Sequence, residues 1–421
     1  MSLYREITEI ELENGLKVLM APSDRSPTVT SQVWYKVGSR YERTGITGIS
    51  HVFEHMMFKG TTRFPKGTLD QIFHSQGMDY NAFTSHDFTA YYETMAADRL
   101  EVALELESDR MRGLTLDSGE FDSEMAVIRE ERRQTREDPP FGLLSEAVEA
   151  TTFLVHPYRW PVIGWMDDLE KLQLEEVREY YGRFYVPNNA LLVLAGAFEP
   201  SEAQELVERH FGSISAGSPA PAIDVTEPEQ LGERTVSVHK NVQLPGILIA
   251  HRIPGAGSPK LPALRLLEAV LLDGRSSRLY QRLVYRQPFV TGLTGGMHER
   301  IDPSTFLLRC QARPEISIET VRDEIYEELT SIASQGIEAD ELTRAFHSLE
   351  VDHVFGQESS TGLAQGLAAA ECRTGWRSLE TFLDDHRSVT VDDVREVAAE
   401  IFDPKKRVIG YLIPERDEVR S

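Results

Sequence analysis

Two histidines and a glutamate fall within five consecutive residues, in an arrangement that can bind a metal ion and use it for hydrolysis. The pentapeptide HVFEH at 51–55 lies in a segment, 48–58, whose apolar spacing predicts a helix. Residues four apart share one face of a helix, so His51 and His55 can reach a single ion. Glu54 is placed to activate a metal-bound water without itself binding the metal. Taken alone, the pattern also fits a chance grouping of ordinary histidines, because the chain has 12 of them.

A catalytic zinc ion needs a third protein ligand, and an acidic helix further along the chain offers candidates. The helix predicted over 118–136 carries Glu124, Glu130 and Glu131. Glu124 and Glu131 are seven residues apart (131 − 124), two turns along one face, so one can bind the metal while the other orients a histidine. Spacing alone does not choose between Glu130 and Glu131, and a solvated acidic face is the alternative for the whole run.

The composition excludes several classes of protein. The chain has 421 residues, enough for two or three domains, with 44 Lys+Arg against 68 Asp+Glu and a net charge of −24. So acidic a surface repels phosphate backbones, so we expect no nucleic-acid partner. No apolar run approaches the roughly 20 residues needed to cross a bilayer, and we expect no membrane span.

The cysteines and the start of the chain bear on the compartment. With only Cys310 and Cys372, a disulfide scaffold and a cysteine-based zinc finger are excluded, while a single bridge between the two stays open. Met1–Glu6 contains no apolar segment, so no secretory signal is expected in this chain. The compartment is therefore left open between the cytoplasm and, if a signal was removed, the bacterial periplasm.

The order of predicted elements repeats along the chain. Strands around 16–37 precede the helix at 48–58, and strands over 234–239 and 246–252 precede a helix over 261–273. The Pro-, Ser- and Gly-containing stretch before this second set has no apolar period. We predict an α+β fold of two homologous domains of similar size, 1–214 and 231–421, joined by a linker over 215–230.

Several segments together resemble one known family of enzymes. Residues 45–61 (GITGISHVFEHMMFKGT) are similar to the zinc-binding segment of the pitrilysin/insulinase metallopeptidases, family M16, and most closely to the short bacterial, processing-peptidase-like subgroup, M16B. Further segments that share the resemblance are Asn81–Ser85, Val127–Glu131, His156–Tyr158, Val162–Gly164, Pro187–Asn189 and Gly274–Leu279. The resemblance spans most of the chain and implies two α/β-roll domains, each a mainly antiparallel sheet covered by helices.

The resemblance also implies roles for individual residues. In this family the third zinc ligand is a Glu 76 or 77 residues after the second His, which selects Glu131 (131 − 55 = 76) and makes Glu124 the supporting carboxylate. One Zn²⁺ per chain is then expected in the domain at 1–214. Asn81, Ala82 and Phe83 resemble the edge strand that pairs with the substrate backbone. Without the resemblance, the sequence predicts equally well that Asn81 is a turn residue.

The expected activity is that of a zinc endopeptidase, which hydrolyses peptide bonds of extended peptides or small unfolded proteins. Glu54 would activate the zinc-bound water. Two alternatives stay open. One is a non-catalytic scaffold of the same family, and the other is a peptide-binding subunit that holds chains without cutting them. The scaffold subunits have usually lost part of the motif, whereas His51, His55 and Glu131 are all present here beside Glu54.

One departure from the family pattern concerns the second half. Many members place an Arg and a Tyr seven residues apart in a later domain, where the pair completes the substrate site. In the matching segment, 306–316, no Tyr has this spacing from Arg309 or Arg313, and the helix over 261–273 has no histidine pair. The resemblance therefore implies a homodimer, or a heterodimer with a homologous non-catalytic subunit that carries the Arg/Tyr pair.

Overall fold

The computed structural model describes residues 7–415, so Met1–Glu6 lies outside the described residues. The strands, in chain order, are β1 (Thr8–Glu11), β2 (Lys17–Pro22), β3 (Thr28–Tyr35), β4 (Asp79–Thr84), β5 (Thr89–Ala96), β6 (Ala190–Gly196), β7 (Arg234–Lys240), β8 (Gly246–Ile253), β9 (Val290–His298), β10 (Ser304–Ala312) and β11 (Arg407–Pro414). The helices are α1 (Ile49–Met56), α2 (Thr68–Ser75), α3 (Leu100–Gly113), α4 (Ser118–Arg132), α5 (Gly142–Thr152), α6 (Met166–Lys171), α7 (Leu174–Phe184), α8 (Pro200–Phe211), α9 (Leu261–Leu272), α10 (Arg278–Tyr280), α11 (Ile318–Gln335), α12 (Ala339–Phe355), α13 (Ser360–Arg373), α14 (Ser378–Arg387) and α15 (Val391–Ile401).

The chain forms two compact units that are not continuous in sequence. Unit 1 comprises 7–132, 160–224 and 354–380, and unit 2 comprises 133–159, 225–353 and 381–415. The linker predicted over 215–230 contains the change of unit between Asp224 and Val225. In addition, each unit takes in a helical segment from the other half of the sequence, which the predicted division into 1–214 and 231–421 did not include.

The two units have the same sheet topology. Unit 1 holds the order β1-β2-β6-β3-β5-β4 and unit 2 the order β7-β11-β8-β10-β9. If β1 is set aside, both orders read first, fifth, second, fourth, third along the chain. In each sheet the first and fifth strands pair in parallel, β2 with β6 and β7 with β11, and the other pairs are antiparallel. The predicted α+β fold, with two mainly antiparallel sheets covered by helices, is confirmed.

Unit 1 buries apolar side chains on both faces of its sheet. One face packs against α1, α3, α7 and α8, and the other against α13. On the α13 side, Trp34 of β3 and Leu191 of β6 meet Leu363 and Leu367 of the helix. Thr30 and Ser360 add a hydroxyl–hydroxyl hydrogen bond of 2.9 Å. A strand that is buried on both faces has apolar residues at consecutive positions. This explains the sequence ALLVLAG of β6, in which every residue is buried.

Unit 2 follows the same plan with other helices. The face that carries Ile249, Phe306 and Leu308 packs against α9, α11 and α15. The opposite face packs against α5, where Leu144 and Val148 contact apolar residues of β8 and β11. Within residues 7–415, no helix has both the length and the apolar character required to cross a membrane. Cys310 and Cys372, whose pairing the sequence left open, are both free.

Strands β4 and β5 form a hairpin between α2 and α3. The hydroxyl of Ser85 accepts hydrogen bonds from the backbone N–H groups of Asp87 (3.2 Å) and Phe88 (3.1 Å), so β4 ends and the chain turns into β5. Local side-chain hydrogen bonds of this kind compete with the ladder, and the alternation of apolar residues does not reveal them.

Candidate functional site

Helix α1 separates its apolar and polar residues by face. Four side chains are fully buried in the core of unit 1: Ile49, Val52, Phe53 and Met56. The period of 3.6 residues then turns His51, Glu54 and His55 toward the opposite side, where each is half-buried. The helix therefore presents all three functional groups of the motif together.

The start of α1 is fixed by a buried carboxylate. Glu42 accepts hydrogen bonds from the backbone N–H groups of Gly48 (2.7 Å) and Ser50 (2.9 Å), which have no partner within the helix. Burial raises the pKa of Glu42 to about 7, against the lowering effect of these hydrogen bonds. Gly48 has φ 90°, and a Cβ there would lie 2.4 Å from the carbonyl oxygen of Ile163. Only glycine fits this position.

The two histidines meet Glu131, which α4 brings against α1. Nε2 of His51 lies 3.6 Å from Oε1 of Glu131, and Nε2 of His55 lies 3.3 Å from Oε2. Ligand atoms of the three residues all lie within 4.8 Å of one another. Among residues 7–415, no other group of three His, Cys, Asp or Glu residues meets this criterion. Glu130, the neighbour that spacing could not exclude, is exposed and outside the group.

The spacing of these atoms fits a tetrahedral zinc site. Ligands about 2.0–2.1 Å from zinc in a tetrahedron are about 3.3–3.4 Å from each other. Nε2 of His51 lies 3.6 Å from one oxygen of Glu131 and Nε2 of His55 lies 3.3 Å from the other, so the side chains approach each other about as closely as zinc ligands would. Two imidazoles with one carboxylate also form a donor set typical of catalytic zinc, with one position left for water or substrate.

Glu124 holds His55 from the side away from Glu131. Its carboxylate lies 2.8 Å from Nδ1 of His55 and forms an ion pair with Lys59. A carboxylate on Nδ1 places the lone pair of a neutral imidazole on Nε2, the atom that faces Glu131. Burial lowers the pKa of His55, but the hydrogen bonds to Glu124 and Glu131 outweigh it and raise the pKa to about 9. For Glu124, burial raises the pKa, but the hydrogen bonds from His55 and Lys59 bring it below its ordinary value.

Glu54 joins α1 to the edge of the sheet. Its Oε2 accepts a hydrogen bond of 2.5 Å from the hydroxyl of Thr84, the last residue of β4. Burial raises the pKa of Glu54 above its ordinary value, while the hydrogen bond from Thr84 and the charge of His55 act in the opposite direction. Glu54 therefore holds a proton more readily than an exposed glutamate does.

Asn81, Ala82 and Phe83 lie on β4, which is an edge strand of the unit 1 sheet among the described residues. The side-chain oxygen of Asn81 accepts a hydrogen bond of 2.9 Å from the backbone N–H of Ala82. The ring of Phe83 packs edge-on against Trp34, with 5.3 Å between centroids. Phe83 therefore anchors the strand, and the free edge leaves backbone groups for pairing.

Three residues of the site were missed by the sequence reasoning. Thr84 lies inside the segment Asn81–Ser85 that shares the family resemblance, but nothing in its spacing links it to Glu54. Lys59 lies just beyond the end of α1, so helical spacing gave no indication that it pairs with the same carboxylate as His55. Glu42, six residues before Gly48 (48 − 42), carries no recognisable capping signal.

Among its described residues, unit 2 contains no counterpart of the metal site. In chain order, α9 lies between β8 and β9, the second and third strands of the unit 2 sheet. With β1 again set aside, α1 has the same position in unit 1, between β3 and β4. Helix α9 contains no histidine. Arg309 lies on β10, and Arg313 follows the end of that strand.

Comparisons with known proteins match both halves of the chain. Residues 17–164 match the family model described as Insulinase (Peptidase family M16), and residues 171–349 match the model described as Peptidase M16 inactive domain. The chain is 30% identical over 409 residues to a Helicobacter pylori protein named Zinc protease PqqE, covering 96% of this chain and 92% of that protein. It is 28% identical over 411 residues to an uncharacterized zinc protease of Streptomyces coelicolor, covering 95% of this chain and 89% of the relative.

A solved structure agrees with the sequence matches. The crystal structure of a protease from Helicobacter pylori superposes with a TM-score of 0.95 at 30% identity, covering 97% of this chain and 99% of that one. The similarity therefore extends over both units and both sheets, including the elements that carry His51, Glu54, His55 and Glu131.

Proposed function

Because the chain belongs to the insulinase family of peptidases (M16), we propose that it is a zinc-dependent endopeptidase acting on extended peptides or small unfolded proteins. The observation that carries the proposal is the meeting of His51, His55 and Glu131 beside the half-buried carboxylate of Glu54. A metal-binding triad with a neighbouring base, next to the edge of a sheet, provides the groups that a metallopeptidase requires.

We assign one zinc ion per chain to His51, His55 and Glu131. Glu124 supports the assignment because it holds Nδ1 of His55 and leaves Nε2 for the metal. When bound, zinc would supply Lewis acidity, which lowers the pKa of a coordinated water and polarises a peptide carbonyl.

Glu54 acts as the general base and then the general acid. It accepts a proton from the attacking water and delivers it to the departing amine, so the peptide bond breaks without releasing an unprotonated leaving group. Burial raises the pKa of this carboxylate, which suits a group that must both take and return a proton. Thr84 fixes the orientation of the carboxylate through its hydroxyl.

The substrate pairs with β4 as an additional strand. Backbone groups on the free edge at Asn81–Phe83 would hydrogen-bond to an extended peptide, largely independently of its sequence, once the peptide displaces the Asn81 side chain from the N–H of Ala82. The hydrogen bond from Thr84 to Glu54 supports this assignment, since it ties the end of the pairing strand to the base. A peptide aligned on β4 therefore runs past the catalytic carboxylate.

We further propose that a second chain completes the substrate site. A single edge strand gives a bound peptide little buried surface, and unit 2 offers neither a histidine pair on α9 nor an Arg/Tyr pair over 306–316. A homodimer, or a heterodimer with a homologous non-catalytic subunit carrying that pair, would supply the opposing wall.

Digestion of an unstructured peptide, read by mass spectrometry with and without a metal chelator, tests the proposed activity. The wild-type protein should cleave within the peptide and stop when chelated, and Glu54→Gln should retain zinc yet turn over about 10²–10⁴-fold more slowly. Glu13→Gln, an exposed residue of unit 1, is the control with the same charge change. Binding of the peptide without cleavage by zinc-loaded wild-type protein would favour the peptide-binding or scaffold alternative.

A further inference from the structure

Unit 2 contains a cavity of about 360 Å³ that the proposed chemistry does not use. It lies where α5 begins, on the α5-covered face of the sheet, beside the edge strand β9. Its polar lining includes Arg136, Thr294, Arg309 and Gln311, and Phe141 with two prolines supplies an apolar part. The lining has two arginines and no acidic residue, in a chain of net charge −24.

Arg309 is held in place without a counter-charge. It stands opposite Thr294 in the β10–β9 register, and its Nε donates a hydrogen bond of 3.0 Å to the hydroxyl of Thr294. Its guanidinium lies over the ring of Phe141, 5.3 Å from the centroid. No Asp or Glu in the described part of the chain forms an ion pair with Arg309, so its two Nη groups can donate to a ligand.

The second arginine is only weakly neutralised. Nε of Arg136 lies 4.0 Å from Oε1 of Glu146, a buried residue of α5 that does not line the cavity. At this separation the two groups form a loose ion pair rather than a strong hydrogen bond. The cavity therefore keeps a net positive lining, and such a lining attracts a negatively charged group.

Contacts within unit 2 support the walls of the cavity. The ammonium group of Lys240 donates hydrogen bonds to the backbone carbonyls of Asp138 (2.9 Å) and Pro139 (2.8 Å), and it also reaches the carbonyl of Glu137. The ring of Phe141 sits over Gly246, where a Cβ would lie 2.4 Å from the ring. A preformed site loses less entropy on binding than one that must order its loops.

We propose that this cavity binds a carboxylate of the peptide substrate, either an acidic side chain or the C-terminal carboxylate. Two Nη donors on one planar guanidinium match the two oxygens of a carboxylate. The hydroxyl of Thr294 and the amide of Gln311 add polar contacts, while Phe141 and the two prolines suit the apolar part of a residue. The choice of a peptide as the source rests on the proposed function, whereas the carboxylate chemistry rests on the cavity alone.

Binding of three matched fluorescent peptides to the Glu54→Gln protein tests the proposal without turnover. The three peptides differ only at one internal position and at the C-terminus. The first has Glu at that position and an amidated C-terminus. The second has Gln at that position and a free C-terminus, and the third has Gln and an amidated C-terminus. We expect the first or the second to bind about 10-fold more tightly than the third. The preferred peptide identifies the source of the carboxylate.

Variants of Arg309 on β10 and of Arg313, which follows that strand, decide whether this cavity causes the preference for a carboxylate. Adding Arg309→Gln should abolish the preference and Arg309→Lys should leave only part of it, because Lys lacks the planar pair of donors. Arg313→Gln, an exposed arginine outside the cavity lining, makes the same charge change and should keep the preference. Equal binding of all three peptides, or a preference that survives Arg309→Gln, would overturn the proposal. Neither result depends on the digestion of peptide by the wild-type protein with and without chelator. That digestion tests the proposed peptidase activity separately.

Discussion

Thr84 and Glu54 are joined by a hydrogen bond of 2.5 Å, although they lie on an edge strand and on a helix. The strand proposed to hold the substrate and the carboxylate proposed to activate water are thus one connected structure. A shift of β4 is expected to move the base with it, which links substrate pairing to the chemical step.

Replacing Thr84 by Val should shift the pH dependence of peptide hydrolysis. Glu54 serves as a base only when ionised, so kcat/KM falls as the pH decreases through its pKa. Burial raises that pKa and the Thr84 hydroxyl lowers it, so losing the hydroxyl raises it further. The acid limb of the profile should therefore move to higher pH. Thr84→Ser keeps the hydroxyl and is the control. If kcat/KM falls at the same pH in the Val and Ser variants, the hydroxyl does not lower the pKa of Glu54.

Exchange of Glu131 for Gln should weaken zinc retention about 10-fold or more, because a charged ligand is replaced by a neutral amide. The neighbouring Glu130→Gln is the matched control, since this residue is exposed and outside the metal-binding group. Zinc affinity is measured by competition with a chromogenic chelator. Loss of zinc from the Glu130 variant with retention by the Glu131 variant would show that the ligand assignment is wrong.

Zinc binding at neutral pH should release a proton from His55. In the metal-free protein the two carboxylates beside this residue outweigh burial and raise its pKa to about 9, so the imidazole is protonated at pH 7 and must lose that proton to bind metal. Apparent zinc affinity should accordingly increase with pH up to about 9. Titration calorimetry in buffers of different ionisation enthalpy measures the release. Removing one carboxylate by Glu124→Gln should lower the His55 pKa and reduce the number of protons released at pH 7.

Replacing Gly48 by Ala should destabilise unit 1 by about 2–5 kcal/mol. A left-handed backbone costs a non-glycine residue about 1–2 kcal/mol, and forcing a methyl group against the Ile163 carbonyl adds about 1–3 kcal/mol. Gly67, which caps α2 at φ 78° with nothing within 4 Å of a Cβ, isolates the backbone cost. Urea unfolding should therefore show a smaller loss for Gly67→Ala, about 1–2 kcal/mol. Equal losses would mean that the close approach to Ile163 is relieved at no cost.

The purified chain alone should be a weak peptidase, because the opposing wall of its substrate site is proposed to come from a second chain. Adding a homologous subunit that carries the Arg/Tyr pair should raise kcat/KM about 10-fold or more, since positioning a substrate is worth several kcal/mol. Light scattering run alongside the assay gives the oligomeric state. Full activity from a strictly monomeric sample would contradict the proposal.

The part of the site that sequence reasoning could reach is the part encoded locally. His51, Glu54 and His55 lie within two turns, so helical periodicity alone places them on one face. Glu131 follows 76 residues later (131 − 55), a separation that no periodicity spans, and only the family resemblance selected it over Glu130. The Thr84–Glu54 contact was missed because it depends on the end of a strand and the packing of a helix.

The repeated sheet was also within reach of the sequence, but the exchange of helices between halves was not. The order of strands and helices already indicated a duplication. An amphipathic helix such as α5 or α13 shows that it has an apolar face, and this pattern does not show which of two similar sheets will cover it. The choice depends on side-chain fit between distant parts of the chain, such as Leu363 against Trp34.

The helix exchange has a consequence for synthesis on the ribosome. The face of the unit 1 sheet that carries Trp34 and Leu191 packs against α13, and this helix ends only at Arg373. Unit 1 therefore cannot complete its core when the linker over 215–230 emerges, and its apolar sheet face stays exposed while most of the second half is translated. Exposed apolar surface on a nascent sheet favours aggregation, so this face is expected to be vulnerable until α13 has been made.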